Sequence, residues 1–173
     1  MADIIIKKIG ASPDICAALA EILVEVVANG GSVSFMHPLP WEKAYAFWIQ
    51  SLAAAGRGER VVLGAYDGDT LAGTVTVLLD LPPNQPHRAE IAKMMTRLSH
   101  RGQGVASALL REAEAVAAKA GRTLLVLDTA TDGGAATLYE RQGYTLAGEI
   151  PDYALKPHGG LTGTRIYWKR IAP

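Results

Sequence analysis

The chain has 173 residues, 49% of them apolar and 20% charged, and its seventeen Lys and Arg cancel its seventeen Asp and Glu. At roughly 150 residues per domain this predicts one globular domain, residues 1–173, large enough to bury a core without disulfides or metal. Zero net charge argues against a dedicated nucleic-acid binder, and no apolar run approaches the ~18 residues of a membrane span. The opening MADIIIKKIG, three apolar residues and then two lysines, does not read as a secretory signal. The lone Cys16 cannot form an internal disulfide and suits a reducing compartment, so the expected setting is cytoplasmic.

Ile4 to Ile9 reads as a short first strand. Ser12 and Pro13 supply an N-cap and a proline in the first helical turn. Ile15, Leu19, Ile22, Leu23, Val26 and Val27 then recur at helical spacing until Asn29-Gly30-Gly31 stops the helix. A polar and aromatic segment, Ser32 to Pro40, precedes a second helix with Trp41, Ala44, Tyr45, Trp48, Ile49 and Leu52 on its apolar face. Gly56-Arg57-Gly58 ends it, and the period switches to two. Val61 to Tyr66 and Leu71 to Leu79 read as strands joined through Asp67-Gly68-Asp69, a turn short enough to require an antiparallel pair.

A loop from Leu81 to His87 leads to a strand from Arg88 to Thr96. Its alternation predicts Glu90, Ala92, Met94 and Thr96 on one face and Ile91, Lys93 and Met95 on the other. A helix from Gly104 to Ala120 follows, then a fully apolar central strand from Leu124 to Leu127. A short helix from Gly134 to Arg141 and two last strands, Tyr144 to Ile150 and Thr164 to Arg170, flank a loop from Pro151 to Gly163. Hairpin strands first, then one strand–helix–strand unit, predict an α+β sandwich around a mixed sheet.

The stretch that carries chemistry is Arg101 to Ala106, RGQGVA, between a strand and the long helix. Glycines let backbone N–H groups approach an anion, and a helix start adds roughly half a positive charge. Arg101 and His100 add side-chain donors, so a pyrophosphate suits the set, although a plain chain reversal would use the same glycines. A Walker loop is excluded because no Gly-Lys-Ser/Thr follows. The dinucleotide fingerprint half fits through Gly102 and Gly104, with Asp128 near the ribose-binding position. It fails at Ser107 and at the distance from the preceding strand.

The pattern Arg/Gln-x-x-Gly-x-Gly/Ala, met by Arg101, Gly104 and Ala106, is followed by LYERQGY at Leu138 to Tyr144. Together they resemble the GCN5-related N-acetyltransferases (GNAT). Segments GGSVSFM, RAEIAKMM and LLVLDTA are most similar to the tabtoxin-resistance type of acetyltransferase within that family. The resemblance implies a mixed, mostly antiparallel central sheet of 6–7 strands with helices on both faces. It also implies a splayed central strand pair that admits acetyl-CoA as co-substrate. The pantetheine would run along Met94, Met95 and Thr96, and the pyrophosphate would sit on Arg101, Gly102, Gln103, Gly104, Val105, Ala106 and Ser107. Tyr139 would lie near the sulfur. The family's frequent asparagine seven residues before this tyrosine is Asp132 here, an acid beside an anionic ligand.

Acyl transfer needs a neutral amine, whereas an ordinary ammonium has a pKa near 10. A base must therefore lie within about 3 Å, directly or through water. Glu90 and Asp128 are the candidates, with binding of the substrate ammonium or a salt bridge to Arg88 or Arg122 as the alternatives for each. The tetrahedral intermediate needs a donor, most simply a strand N–H near Met95. The departing thiolate can take a proton from a phenol, a task for Tyr139. Phe35, Met36 and Tyr153 are candidate walls of the acceptor pocket. His37, His87, His100 and His158 show no ligand spacing, so no metal is expected.

The expected activity is transfer of acetyl from acetyl-CoA directly to a primary amine of a small molecule, an amino acid or an antibiotic- or toxin-like amine. A non-catalytic acyl-CoA sensor on the same scaffold and a dinucleotide-binding enzyme are the rivals. Neither nucleic acid nor membrane is an expected partner, and a homodimer is what the family's habit adds.

Overall fold

A computed structural model describes residues 3–172, so Met1 and Ala2 of the opening and Pro173 lie outside the described residues. The Ser12 hydroxyl accepts a hydrogen bond from the Ile15 N–H at 3.2 Å, and Pro13 begins α1 (Pro13–Ala28). This is the cap the sequence predicts. α2 follows (Trp41–Gly56), then α3 (Val105–Lys119) and the short α4 (Ala136–Arg141). The strands are β1 (Ile4–Lys8), β2 (Arg60–Asp67), β3 (Thr70–Leu78), β4 (Arg88–Thr96), β5 (Leu124–Ala130), β6 (Thr145–Leu155) and β7 (Leu161–Arg170). They form one sheet in the order β1-β2-β3-β4-β5-β7-β6. Every neighbouring pair is antiparallel except β4 and β5, which run parallel.

Both sheet faces are covered, which is why β2 is apolar along its length. Val61, Leu63 and Ala65 enter the core under α3, while Val62 enters the core under α1 and α2. Leu109, Leu110 and Ala113 of α3 fill the first core, and Leu19, Ile22, Leu23 and Trp48 fill the second. Each buried Leu or Ile among them contributes about 1.5–3 kcal/mol by leaving water. Gly73 in β3 lies under the start of α3, where there is no room for a side chain. A Cβ there would lie 2.7 Å from the Met95 carbonyl oxygen and 2.9 Å from the Val105 side chain.

Two expectations need correction. The alternation predicted for β4 breaks in its middle: Thr74 pairs with Met95 and Thr76 with Ala92, so β4 holds one residue more than β3 over this stretch. Lys93 sits in that bulge at φ +51°. A bulge flips the faces beyond it. Ile91 therefore packs under α3 and Met95 under α1 and α2, not on one shared face. Likewise the loop expected from Pro151 to Gly163 is mostly strand, with only residues 156–160 turning. Pro151 is tolerated because β6 is an edge strand with a register shift between Ile150 and Ala154. Among the described residues no helix is long and apolar enough to cross a membrane.

Candidate active site

β4 and β5 pair only through Arg88–Glu90 and Leu124–Val126, and beyond these residues they separate. A cavity of about 980 Å³ opens between them, walled by both strands, the start of α3, Tyr139 of α4 and the segment from Asn29 to Ser34. Ala89, Ile91, Leu125 and Leu127 sink into the core under α3. The pleat accordingly sends Glu90 and Asp128 to the opposite sheet face, and both line the cavity. Their surroundings differ. Arg88 donates to Glu90 at 2.8 Å, so this acid has a salt bridge to Arg88. Asp128 accepts a hydrogen bond from the Thr164 hydroxyl at 2.9 Å and makes no ion pair among the described residues. Arg122 serves neither acid; it donates to the carbonyls of Pro86, Arg88 and Leu79.

After one helical turn at Leu98–His100, the chain enters the glycine loop. Gly102 and Gly104 adopt φ +73° and +81°, a region that L side chains rarely occupy. Ala108 is the first residue of α3 whose N–H finds a carbonyl, that of Gly104 at 3.0 Å. Among the described residues, the six N–H groups from Gly102 to Ser107 have no protein acceptor. With the helix dipole behind them and the exposed Arg101 beside them, they make a set of free donors whose chemistry suits a doubly charged anion. Arg101, Gly102, Gly104, Val105, Ala106 and Ser107 line the cavity, whereas Gln103 turns away and donates to the Ser99 carbonyl. Met94, Met95 and Thr96 line the same cavity from the bulged half of β4.

Tyr139 is buried, stacked at an angle near Tyr144 and Tyr167 with ring centroids 5.9 Å away in each case, and it also reaches the cavity. Burial, helped by the negative charge of Asp128, pushes its phenol up to about 12. The phenol therefore keeps its proton across the physiological range. Asp132 stands at the rim, where the Thr162 hydroxyl and then Lys156, 3.5 Å away, hold its carboxyl below the usual range. The acid at this position is therefore ion-paired at the surface.

The three candidate walls of the acceptor pocket do not all reach the cavity. Tyr153 lines the cavity, but Phe35 packs edge-on against Phe47 at 5.3 Å and Met36 is exposed away from it. Ser32, Val33 and Ser34 of the same segment line the cavity instead, and Lys93, in the bulge, lines it with them. A lysine inside an otherwise apolar strand core is the only sequence signal for this residue. Of the four histidines, His37 and His158 pack against each other with ring centroids 4.4 Å apart and planes tilted by 40°, a pairing that sequence separation conceals. Among the described residues no group of three or more His, Cys, Asp or Glu side chains is placed to hold a metal ion.

The model of the acetyltransferase (GNAT) family matches residues 24–144 of this chain. N-acetyltransferase 8B of Rattus norvegicus is 36% identical over 87 residues, 49% of this chain and 39% of that relative, so the match spans about two fifths of the curated relative's length. A crystal structure of a GNAT superfamily phosphinothricin acetyltransferase from Sinorhizobium meliloti in complex with AcCoA has a TM-score of 0.83 at 18% identity. It covers 99% of this chain and 90% of its own. Ribosomal-protein-alanine N-acetyltransferase from Brucella melitensis has a TM-score of 0.82 at 19% identity, covering 96% of this chain and 99% of its own. At such identities the likeness of these two structures is one of fold.

Proposed function

The chain belongs to the GNAT family of acetyltransferases, and on that premise we propose that it moves an acetyl group from acetyl-CoA directly to a primary amine of a small molecule. The observation that carries this reading is the run of six acceptor-free N–H groups, Gly102 to Ser107, at one end of a cleft that holds carboxylates and a phenol. The donor set fits a pyrophosphate, and the unpaired edge of β4 beyond Glu90 suits an extended amide-bearing arm. Acetyl-CoA supplies the activated thioester. The protein's residues bind, orient and move protons.

Asp128 is the better placed base. Its only donor among the described residues is a neutral hydroxyl, whereas Arg88 occupies an oxygen of Glu90. Glu90 adds negative charge that attracts the acceptor ammonium into the cleft. An N–H of the bulged strand near Met95 would meet the developing oxyanion. Tyr139, at about 12, would have to yield its proton to a thiolate of ordinary pKa about 8.5. That transfer is uphill by roughly 4–5 kcal/mol at 1.36 kcal/mol per pKa unit. Its role is thus a hydrogen bond to the sulfur as charge develops, with the acceptor's own proton settling the balance. Cys16 is buried in α1, and burial pushes its thiol up, so an acyl-cysteine has no support. We read residues 1–173 as one N-acetyltransferase domain, and the free thiol suits a reducing, cytoplasmic setting.

Melting temperature with acetyl-CoA, free CoA and NADH in parallel tests the reading. A ligand at 100 times its Kd stabilises by about 2.7 kcal/mol, about 5–10 °C for a chain of this size. Shifts with acetyl-CoA and CoA but not NADH, followed by CoA release with amines, are expected. No shift with either CoA species would overturn the proposal, and shifts without release from any amine would leave a sensor.

A further inference from the structure

We propose that Lys93 and Ser34 form an anion subsite beside Asp128, and that the acceptor is a zwitterionic amino acid or amino-acid analogue whose carboxylate this subsite receives. The inference rests on the acetyltransferase reading and narrows its substrate. Among the described residues, three non-glycine residues take a positive φ: Ser34 at +77°, Lys93 at +51° and Asp152 at +52°. Backbone outliers of this kind persist where surrounding structure enforces them, and they concentrate at functional sites. Two of the three lie on one cavity and the third borders it. Ser34 and Lys93 both line it, and Asp152 precedes Tyr153, which lines it too. The first two, 59 residues apart in sequence, meet directly: the Lys93 ammonium donates to the Ser34 hydroxyl at 3.2 Å.

Packing alone does not account for Lys93. Its ammonium lies 5.8 Å from the Phe47 ring centroid and, among the described residues, has no carboxylate within ion-pair distance. Burial works against its charge, Arg60 adds to that, and the field of Asp128 opposes both. A half-buried cation without a paired anion is costly to keep. An incoming carboxylate would complete it, with the Ser34 hydroxyl as a second donor. Asp128 on the facing strand would take the ammonium of the same molecule. Opposite charges placed on two walls of one cavity match the two charges of an α-amino acid. They mismatch a polycationic amine, whose further charges Lys93 would repel.

CoA release is followed with the common L-amino acids, their amides and the corresponding decarboxylated amines, each at saturating acetyl-CoA. The wild-type protein is expected to favour acids over the matched amides by on the order of 10- to 100-fold in kcat/KM, the range of a charge-assisted hydrogen bond. In Lys93→Gln this ratio falls to near one, chiefly through KM, and Lys93→Arg restores most of it. Ser34→Ala lowers the ratio about threefold and serves alone if Lys93→Gln does not fold. An equal or better rate with amides, or a ratio untouched by Lys93→Gln or Ser34→Ala, overturns the subsite. Silence of all amino acids while acetyl-CoA still raises the melting temperature overturns it too, and leaves the acetyltransferase reading standing. Failure of acetyl-CoA to bind would instead remove that reading first.

Discussion

Replacing Gly104 by valine separates an anion cradle from a mere turn. Gly104 is the residue before α3, at φ +81° and ψ +5°, and a Cβ there would meet nothing within 4 Å. The fold has room for the side chain, so the penalty is backbone strain, about 1–2 kcal/mol for an L residue and more when β-branched. At 2–4 °C per kcal/mol, the melting temperature should fall by about 2–8 °C, with the protein still folded. Relaxing that strain rotates the flanking peptides, and the N–H groups from Gly102 to Ser107 cease to converge. Loss of two charge-assisted hydrogen bonds, at about 1.5–3 kcal/mol each, weakens acetyl-CoA binding by at least about 100-fold. Isothermal titration with acetyl-CoA measures this directly. Gly56→Ala is the control: it ends α2 with open space and no positive φ, and it should gain roughly 0.4–1 kcal/mol while binding normally. A Gly104→Val protein that binds acetyl-CoA within threefold of wild type would refute the cradle.

Tyr139→Phe should keep acetyl-CoA affinity and lower kcat by about 10- to 100-fold, the worth of a hydrogen bond to a charged sulfur. With the phenol at about 12, kcat should show no alkaline fall from this group below about pH 11. A Tyr139-dependent limb nearer pH 9, seen in wild type and absent from Tyr139→Phe, would contradict the burial argument. Gly73→Ala should cost about 1–3 kcal/mol by overpacking, because the obstructing Met95 carbonyl belongs to a paired strand and cannot move away. Chemical denaturation reads this as a lower midpoint, and an unchanged midpoint would mean that α3 yields easily.

Signals confined to a few consecutive residues are legible in the amino-acid sequence itself. The Ser12–Pro13 cap, the hairpin at Asp67 to Asp69, the helical period of α1 and the RGQGVA turn each act through neighbouring backbone dihedrals. They therefore appear where the sequence predicts them. The order in which two motifs recur, Arg101 to Ala106 and then Leu138 to Tyr144, also carries the family resemblance.

What decides the site is pairing across long stretches of chain. One extra residue in β4 against β3 redirects Lys93 and Met95, and no period inside β4 announces it. The parting of β4 from β5 beyond Glu90 and Val126 opens the cavity, while β7 pairs with the other edge of β5 along its whole length. Arg88 claims Glu90, Thr164 reaches Asp128, and Phe35 turns to Phe47, each through contacts that sequence spacing does not encode. Local dihedral preference and alternation determine which elements form. Register and burial between elements far apart in sequence determine which side chains share a cavity, because only the closed sheet brings their backbones together.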